Sequence, residues 1–335
     1  MGRVWPASAP SIVGPGWIES NDLPASPGIA LAAQCLPTAE RVEAESISRW
    51  ANTAGEWLVN ALRGHAGPWR LHVFCVPTDD GSATHSRCRY IEEAVTEFLR
   101  KKQRRLLRTV TVAHERPMQA DEWLLQVGLK TATTGYVSVV TPDTWPAWRR
   151  AVSRFPGGVL NVEADRRAPS RAFSKLAEVE VRLARAIEKG ETCVDLGSSP
   201  GSWAYWALGR GAEVWAVDRA PLRADVMHHR ALTFVRGDAF RYRPPRPVDW
   251  LLCDVVAFPA KTISLVEEWL AAGWCRFFCV TIKFRGQDED DKLEPLKAWL
   301  ASARHDFYLR RLTANKNEVM LFGQAAASNE VLGGL

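Results

Sequence analysis

The chain has 335 residues, of which 47% are hydrophobic and 24% are charged, and its formal net charge is +5. This composition is ordinary for a globular protein of two or three domains, and no apolar run approaches the ~20 residues of a membrane-spanning helix. The seven cysteines lack paired C-x-x-C spacing, which disfavours a disulfide framework and a zinc site. No signal-peptide pattern opens the sequence, so we expect a cytoplasmic protein without a metal or a membrane partner.

The first half of the chain alternates helical and strand patterns after an irregular start. Residues 1–38 are rich in Pro, Gly, Ala and Ser and predict a loose arm. The spacing of apolar residues then predicts a helix, a strand, a helix and two strands, at 38–63, 69–76, 87–108, 123–129 and 135–140. Pro77–Gly81 is predicted to be a turn. This order resembles the small α/β RNA-binding modules of the THUMP type.

Basic residues are concentrated in one of these helices. The range 87–108 holds eight Lys or Arg residues and three Glu residues, so its excess of five equals the net charge of the whole chain. A concentrated basic patch favours a polyanionic partner such as RNA. The alternative is a solvated helix end, where cations are favoured by the helix dipole.

The second half has the alternation of a doubly wound α/β sheet. A junction rich in Pro and Gly, 142–169, places a domain boundary near residue 155, which gives an N-terminal domain of 1–155 and a C-terminal domain of 156–335. A helix is predicted over 172–188, and strands are predicted at 192–196, 213–217, 232–235, 249–253 and 276–282. A last hairpin-like pair is predicted at 306–312 and 318–323. Such a pattern predicts a Rossmann-like parallel sheet covered by helices on both faces.

A glycine turn follows the first strand of this domain. The strand 192–196 leads into Gly197-Ser-Ser-Pro-Gly201, and a helical segment begins at Trp203. The second strand ends in Asp218, an acid suited to the two hydroxyls of a ribose. The turn lacks the Gly-x-Gly-x-x-Gly and P-loop patterns, so a nucleoside without a pyrophosphate, such as S-adenosylmethionine, fits better than NAD or ATP.

Four charged residues stand at the ends of predicted elements. Lys175 lies in the helix before the glycine turn, Asp254 and Lys283 end two strands, and Glu318 opens the last strand. Ligands of an open parallel sheet bind beyond the carboxyl ends of its strands, so Asp254 and Lys283 are expected at the crevice that the turn borders. Any one of these lysines alone would be an unremarkable solvated charge.

The motifs around these residues resemble those of the FtsJ-type ribose 2′-O-methyltransferases. They are Ser170-Arg-x-x-x-Lys175-Leu, Asp195-Leu-Gly-x-x-Pro-Gly-x-Trp203, Cys253-Asp254, Lys283 and Asn317-Glu318-Val. The segments 249–256, 258–261 and 273–276 are similar to the RlmM subgroup, which methylates a cytidine ribose of 23S rRNA. One departure is Ser202, where the family usually has a second glycine.

The resemblance implies an α/β S-adenosylmethionine-dependent methyltransferase domain that acts on RNA. By analogy with the subgroup, the expected RNA partner is 23S rRNA. It implies a catalytic tetrad of Lys175, Asp254, Lys283 and Glu318. It further implies cofactor contacts from the turn and from three acids: Gly197, Ser199, Pro200, Gly201, Ser202, Trp203, Asp218, Asp238 and Asp254. Asp238 is expected to face the adenine amino group, although it could instead be a turn residue.

The chemistry explains why a lysine pair is useful. A ribose 2′-hydroxyl must lose its proton as it attacks a methyl group, and a protonated lysine cannot accept that proton. A second ammonium group nearby favours deprotonation, whereas neighbouring carboxylates oppose it. We therefore expect Lys283 to be the general base, oriented by Glu318 and Asp254, and Lys175 to hold the target hydroxyl.

Three alternatives stay open from the sequence. The chain could methylate a different RNA, because substrate choice would depend on the motif-poor N-terminal half. It could be a catalytically silent RNA-binding or ribosome-assembly module that keeps the fold. It could also methylate a small molecule, which the basic helix disfavours.

Overall fold

The computed structural model describes residues 11–14, 17–19, 32–75, 83–111, 119, 121–284 and 293–327. The predicted turn Pro77–Gly81 lies outside these residues, as does most of the predicted arm. Within the arm, strands β1 (Ser11–Gly14) and β2 (Trp17–Glu19) pair with each other in antiparallel fashion.

The N-terminal half forms a five-stranded sheet with two helices on one face. Its strand order is β3-β7-β6-β4-β5, in which β4 is parallel to β5 and β6, and β7 is antiparallel to β3 and β6. The helices pack on the sheet through a core that includes Trp50, Leu58 and Ile91. In chain order the elements are β3 (Glu40–Glu43), α1 (Ile47–Ala61), β4 (Trp69–Cys75), α2 (His85–Lys102), β5 (Val110–Thr111), β6 (Trp123–Leu129) and β7 (Thr134–Val140). Likeness to a THUMP domain stays a prediction.

The helix predicted over 38–63 is wrong at its start. Residues Glu40–Glu43 form β3, which pairs with β7, and the helix begins only at Ile47. Ser46 caps it, because its hydroxyl accepts a hydrogen bond from Arg49 N at 3.2 Å. The partner strand is some 90 residues away in the chain (Glu40 pairs with Val137), so local periodicity could not reveal it.

The basic helix predicted over 87–108 is broken near its end. The α-helix ends at Lys102, and Gln103, with φ −145°, separates it from a 3₁₀ helix at Arg104–Arg108. The basic side chains at this end are exposed: Lys101, Lys102, Arg104, Arg105 and Arg108.

The C-terminal half forms a seven-stranded sheet with order β10-β9-β8-β11-β12-β14-β13. The first five strands in this order are parallel, and β14 is antiparallel to both of its neighbours. A short helix, α3 (Trp145–Trp148), precedes this half, and its Trp145 packs with Leu124 and Val140 of the first sheet. In chain order the elements of the C-terminal half are α4 (Phe173–Leu183), β8 (Thr192–Leu196), α5 (Ser202–Gly209), β9 (Glu213–Asp218), α6 (Ala224–Met227), β10 (Leu232–Arg236), β11 (Val248–Cys253), α7 (Pro259–Ala271), β12 (Cys275–Lys283), α8 (Leu293–Ser302), β13 (Asp306–Arg310) and β14 (Glu318–Gln324). The predicted Rossmann-like α/β sheet is confirmed, but it is mixed rather than wholly parallel.

Helices cover both faces of this sheet. Helices α7 and α8 bury Val266 and Leu296 against one face, and α4 and α5 bury Leu176 and Ala204 against the other. The predicted helix 172–188 ends early at Leu183, because Ala184 adopts a left-handed conformation (φ 52°) and the Arg185 N–H closes on Glu180 O.

The two halves meet around a buried arginine on β13. Arg310 is 4% exposed, and its guanidinium donates to the carbonyl oxygens of Ala33, Ala151 and Val152 at 3.0 to 3.2 Å. Burial, together with the nearby Arg182, lowers the Arg310 pKa to about 9. The residues between β7 and α4, 141–172, form the segment that joins the two halves. The predicted boundary near residue 155 lies in this joining segment and stays a prediction.

Among the helices that the structure describes, none is both long and apolar enough to cross a membrane. The seven cysteines are buried as free thiols. No cluster of three or more candidate metal ligands occurs in the described part of the chain.

Candidate active site

Sheet topology brings three of the four predicted tetrad residues to one edge. Asp254 follows the carboxyl end of β11, and Lys283 is the last residue of the parallel neighbour β12. Because β14 runs antiparallel to β12, its first residue lies at that same edge, and Glu318 is the register partner of Lys283. The order of strands therefore assembles residues that are far apart in the chain.

The fourth residue, Lys175, reaches this edge from α4 and contacts both acids. Its Nζ lies 2.7 Å from Glu318 Oε1, and 3.2 and 3.3 Å from the two Asp254 carboxylate oxygens. The Lys175 side chain is only 10% exposed, so these ion pairs are largely shielded from solvent. Lys175 thus joins the two carboxylates of Asp254 and Glu318 into one cluster.

Lys283 has a different set of partners. Its Nζ lies 2.9 Å from Asp254 Oδ1 and donates to the Asp254 carbonyl oxygen at 2.9 Å. The expected contact between Lys283 and Glu318 is not formed, because Glu318 pairs with Lys175 instead. Lys283 therefore contacts one carboxylate where Lys175 contacts two, and Asp254 joins the two amines.

The glycine turn 197–201 lies next to this cluster. Gly197 has φ +74°, and a Cβ atom there would come within 2.5 Å of Val255 Cγ2, directly after Asp254. Gly201 has φ +105° and precedes the first residue of α5. Both positions favour glycine, and the first allows the turn to touch the tetrad loop. The turn leads directly into the N-terminus of α5, whose first backbone N–H groups favour an anionic or polar ligand.

Two other predicted turn residues point into the protein. Ser202 is 3% exposed, and its hydroxyl lies 2.7 Å from the Ser170 hydroxyl. Trp203 is 2% exposed, and its indole N–H donates to Ala172 O at 2.7 Å. The side chain that replaces the usual glycine at 202 thus packs against the segment before α4.

Asp218 ends β9 beside the turn. Its carboxylate accepts hydrogen bonds from Ser199 N at 3.0 Å and Ala220 N at 2.8 Å, one on each oxygen. Each oxygen keeps a further acceptor position, so the side chain is fixed and can still bind hydroxyl groups. Pro200 lies within the turn, and its carbonyl accepts from Arg223 N at 3.0 Å.

Asp238 follows β10, and Gly237 N donates to Asp218 O at 3.0 Å, which joins the two acidic loops. One Asp238 oxygen accepts from Phe240 N at 2.9 Å, and the other forms an ion pair with Arg219 at 2.6 Å. The Phe240 N–H and the Arg219 guanidinium lower the Asp238 pKa. Asp238 is therefore a turn residue whose carboxylate accepts from the backbone two residues on, and its expected contact with adenine stays a prediction.

Comparison with known proteins identifies the family to which the chain belongs. A family model described as FtsJ-like methyltransferase matches residues 168–284. A ribosomal RNA large subunit methyltransferase M from Azoarcus sp. (strain BH72) is 30% identical over 277 residues, which are 79% of this chain and 71% of the relative. The chain belongs to this methyltransferase M family.

Other comparisons cover less of the molecule. The methyltransferase M of Thauera aminoaromatica is 33% identical over 59% of this chain, and the match spans 56% of that relative's length. Among solved structures, the 1,6-didemethyltoxoflavin-N1-methyltransferase of Burkholderia thailandensis has a TM-score of 0.35 and 16% identity, over 48% of this chain and 80% of that one.

Two residues of the methyltransferase domain were missed by sequence reasoning. Asp195, within β8, is 1% exposed and accepts from Ala204 N at 3.0 Å. Burial raises the Asp195 pKa to about 8, and the nearby carboxylates of Asp254 and Asp218 act in the same direction. The signal in the sequence that could have identified Asp195 was a carboxylic acid inside a strand that is otherwise mostly apolar.

Asn315 is the second. Its Nδ2 donates to Glu318 Oε1 at 3.0 Å, and its Oδ1 accepts from Leu312 N at 2.7 Å. Asn315 therefore orients the acid that pairs with Lys175. The sequence has two asparagines here, and Asn317 instead donates to Phe284 O, so composition could not separate their roles.

A surface cleft of about 440 Å³ lies beside the outer side of α5. It is lined by Asp165, Arg167, Tyr205 and Trp206 among others, and it shares no residue with the tetrad or the glycine turn. Val226 lines the cleft, and a Cβ atom at Gly201 would lie 3.2 Å from its Cγ1, so the cleft adjoins the glycine turn.

Proposed function

We propose that this protein is an S-adenosylmethionine-dependent RNA ribose 2′-O-methyltransferase that modifies a cytidine of 23S rRNA. The observation that carries the proposal is the contact of Lys175 and Lys283 with one shared carboxylate, Asp254. Membership of the methyltransferase M family supports the choice of rRNA. The exposed basic end of α2 supports an RNA partner independently of that family, and a cytoplasmic location stays a prediction.

The residues of the crevice fit S-adenosylmethionine. Gly197 and Gly201 let the turn pack closely against Val255 and Val226, and the Asp218 carboxylate beside the turn is held in place with acceptor positions left for a ribose diol. When bound, this cofactor supplies a methyl group on a positively charged sulfur. Ser199, Asp218 and Asp238 would hold its nucleoside end, and Asp254 would border its methionine end.

The tetrad supports distinct roles for the two lysines. Lys175, held between Asp254 and Glu318, donates a hydrogen bond to the target 2′-oxygen. Lys283 has the weaker carboxylate environment and accepts the 2′-hydroxyl proton as the methyl group is transferred to that oxygen. Asp254 contacts both amines and so fixes the position of the base relative to the group that holds the target hydroxyl.

The test is methyl transfer from tritiated S-adenosylmethionine to unmodified 23S rRNA transcribed in vitro, followed by mapping of ribose methylation. Lys283→Ala is expected to lower the single-turnover rate at saturating RNA by roughly 100-fold or more, because it removes the general base. Lys189→Ala is the matched control, since this exposed lysine lies before β8 at the opposite edge of the sheet. It should keep the wild-type rate.

The other outcomes separate the alternatives. Near-wild-type transfer by Lys283→Ala would contradict the base assignment. Binding of 23S rRNA without any transfer by the wild type would favour a silent assembly module. Transfer to a different RNA in a total RNA preparation would leave the chemistry intact and correct the substrate.

A further inference from the structure

The loop between β11 and α7, residues 254–258, exposes a pair of large apolar side chains. Val256 is 71% exposed and Phe258 is 57% exposed, the two highest values among the large apolar residues that the structure describes. Single exposed apolar residues are common on proteins. Two in one short loop that begins at a tetrad residue form a local patch, which points to a ligand.

The backbone directs both side chains outward. Along the loop, inward and outward side chains alternate. Val255 packs on Gly197 and Ala257 is 8% exposed, whereas Val256 and Phe258 are both exposed. This alternation is that of an extended segment, in which every second side chain shares a face. Phe258 itself has extended dihedral angles, φ −66° and ψ 144°.

The contacts that hold the tetrad also hold this loop. Lys283 Nζ donates to the Asp254 carbonyl oxygen as well as contacting its carboxylate. At the other end, Pro259 begins α7. The apolar pair is therefore fixed in position before any ligand arrives, which lowers the entropic cost of binding.

The chemistry of the target limits what can lie there. In a ribonucleotide the base is attached to the carbon next to the one that bears the 2′-hydroxyl. A hydroxyl held by the tetrad therefore brings its own base within a few ångströms. Val256 and Phe258 follow Asp254 by two and four residues, at most about 7 and 14 Å along an extended chain. Every base has an apolar face that stacks on aromatic rings.

We infer that Val256 and Phe258 form the surface on which the base of the methylated nucleotide packs. This inference rests on the proposed function, because it places the target ribose at the tetrad. Apolar packing selects an unstacked base rather than a paired one, so the favoured substrate is a single-stranded or flipped nucleotide.

The competing occupant is the adenine of the cofactor. Asp238 follows β10, which lies three strands from β11, about 14 Å at the usual spacing of strands. That distance favours the target base as the occupant of the 254–258 loop. However, Nζ of Lys261, in the first turn of α7, lies 4.0 Å from the centre of the Phe240 ring beside Asp238. The start of α7 is therefore close to the predicted adenine site. Affinity for S-adenosylhomocysteine is therefore the discriminating measurement.

The experiment compares Phe258→Ala, Phe258→Leu, Phe258→Trp and Val256→Ala in the full-length chain. Stacking is worth roughly 5- to 150-fold in affinity per base. Phe258→Ala should raise the Kd and KM for unmodified 23S rRNA about 10-fold, Phe258→Leu should raise them less, and Phe258→Trp should leave them near wild type. Affinity for S-adenosylhomocysteine should be unchanged. The dependence of RNA binding on salt should keep its slope, because no phosphate contact is removed.

Val159→Ala is the matched control for Val256→Ala, because Val159 is another exposed valine, in the segment before α4. It should leave the Kd for RNA unchanged. A lower affinity for S-adenosylhomocysteine with unchanged RNA affinity in Phe258→Ala would assign the loop to the cofactor and overturn the inference. Unchanged affinity for both ligands would also overturn it.

RNA affinity measured by fluorescence anisotropy does not require turnover. A wild-type protein that transfers no methyl group would therefore contradict the proposed function alone. A Phe258→Ala variant that binds RNA as tightly as an active wild type would contradict the inference alone.

Discussion

Asp254 is the residue on which the geometry of the tetrad depends most. It is the only tetrad member that contacts both lysines. Its carboxylate contacts Lys175 and Lys283, and its backbone carbonyl accepts a hydrogen bond from Lys283 alone. Asp249, at the other end of β11, also forms an ion pair, with Arg276, but it lies at the edge of the sheet away from the crevice. The same residue type on the same strand thus has two roles, which are decided by the end of the strand that it occupies.

Asp195 gives a prediction about pH. Its carboxyl pKa is about 8 in the folded protein, against 3.8 ordinarily, so between these values the folded chain holds a proton that the unfolded chain has released. The free energy of unfolding therefore decreases as pH rises through this range. Asp195→Asn keeps an oxygen for Ala204 N but does not titrate. Its melting temperature, relative to wild type, should increase from pH ~5 to pH ~8. A difference that stays constant with pH would contradict this.

At the residue scale, the sequence predicted which four side chains come together, but not which of them form ion pairs with each other. The tetrad residues were identified from motif resemblance and strand ends, and they do converge. The pairing of Glu318 with Lys175, and the support from Asn315, depend on side-chain reach across β14 and α4. No pattern along the chain encodes such distances.

The glycine turn gives a prediction at the scale of an element. Gly197→Ala forces a left-handed conformation on alanine and also places its Cβ 2.5 Å from Val255 Cγ2. Gly190 has a similar φ of +85° but no atom within 4 Å of the added Cβ, so Gly190→Ala carries only the strain, about 1–3 kcal/mol. We expect Gly197→Ala to lower the denaturation midpoint more than Gly190→Ala.

The same pair separates folding from ligand binding. Calorimetric titration with S-adenosylhomocysteine should show weaker binding for Gly197→Ala and wild-type binding for Gly190→Ala. Equal binding by both variants would mean that the turn is not part of the cofactor site.

Elements with strong local signals were predicted closely, and the others were not. The apolar runs at β4, β6 and β8 gave strands within a residue of the structure, because each is a continuous buried segment. Strand β3 was missed because Val42 is its only buried residue and its stability comes from β7. The hairpin-like pairing of β13 with β14 was predicted, but the insertion of β14 between β12 and β13 was out of reach, since it depends on which strands become neighbours.

At the scale of the whole molecule, Arg310 links the joining segment to the catalytic sheet. Arg310→Met would fill similar space but leave the carbonyls of Ala33, Ala151 and Val152 without their hydrogen-bond donor. Each carbonyl that no water reaches would lower the free energy of unfolding by about 1–3 kcal/mol. We expect a lower free energy of unfolding and faster proteolysis between residues 141 and 172.

Arg311→Met is the control for this change, since Arg311 is the next residue in the chain and is exposed. It should alter neither measurement. Equal stability and equal cleavage rates for the two variants would show that the buried guanidinium does not secure the junction.

The proposed function divides recognition between the two halves of the molecule. The exposed cations of the first half lie at the end of α2, whereas the tetrad lies at the carboxyl ends of the strands of the second sheet. Charge supplies affinity for any phosphate backbone, so under this proposal the selection of one nucleotide falls to the surface around the tetrad. Sequence reasoning located the charge but could not foresee the apolar pair that follows Asp254.

The late position of β14 has a consequence for synthesis of the protein. This strand inserts between β12 and β13, although both of those precede it in the chain, and it carries the acid that neutralises Lys175. A nascent chain that has emerged only to β13 can already hold a complete glycine turn, yet its two amines face a single carboxylate. A fragment released before β14 is made would therefore keep the glycine turn but lack the acid that contacts Lys175, and under the proposed function it would be inactive.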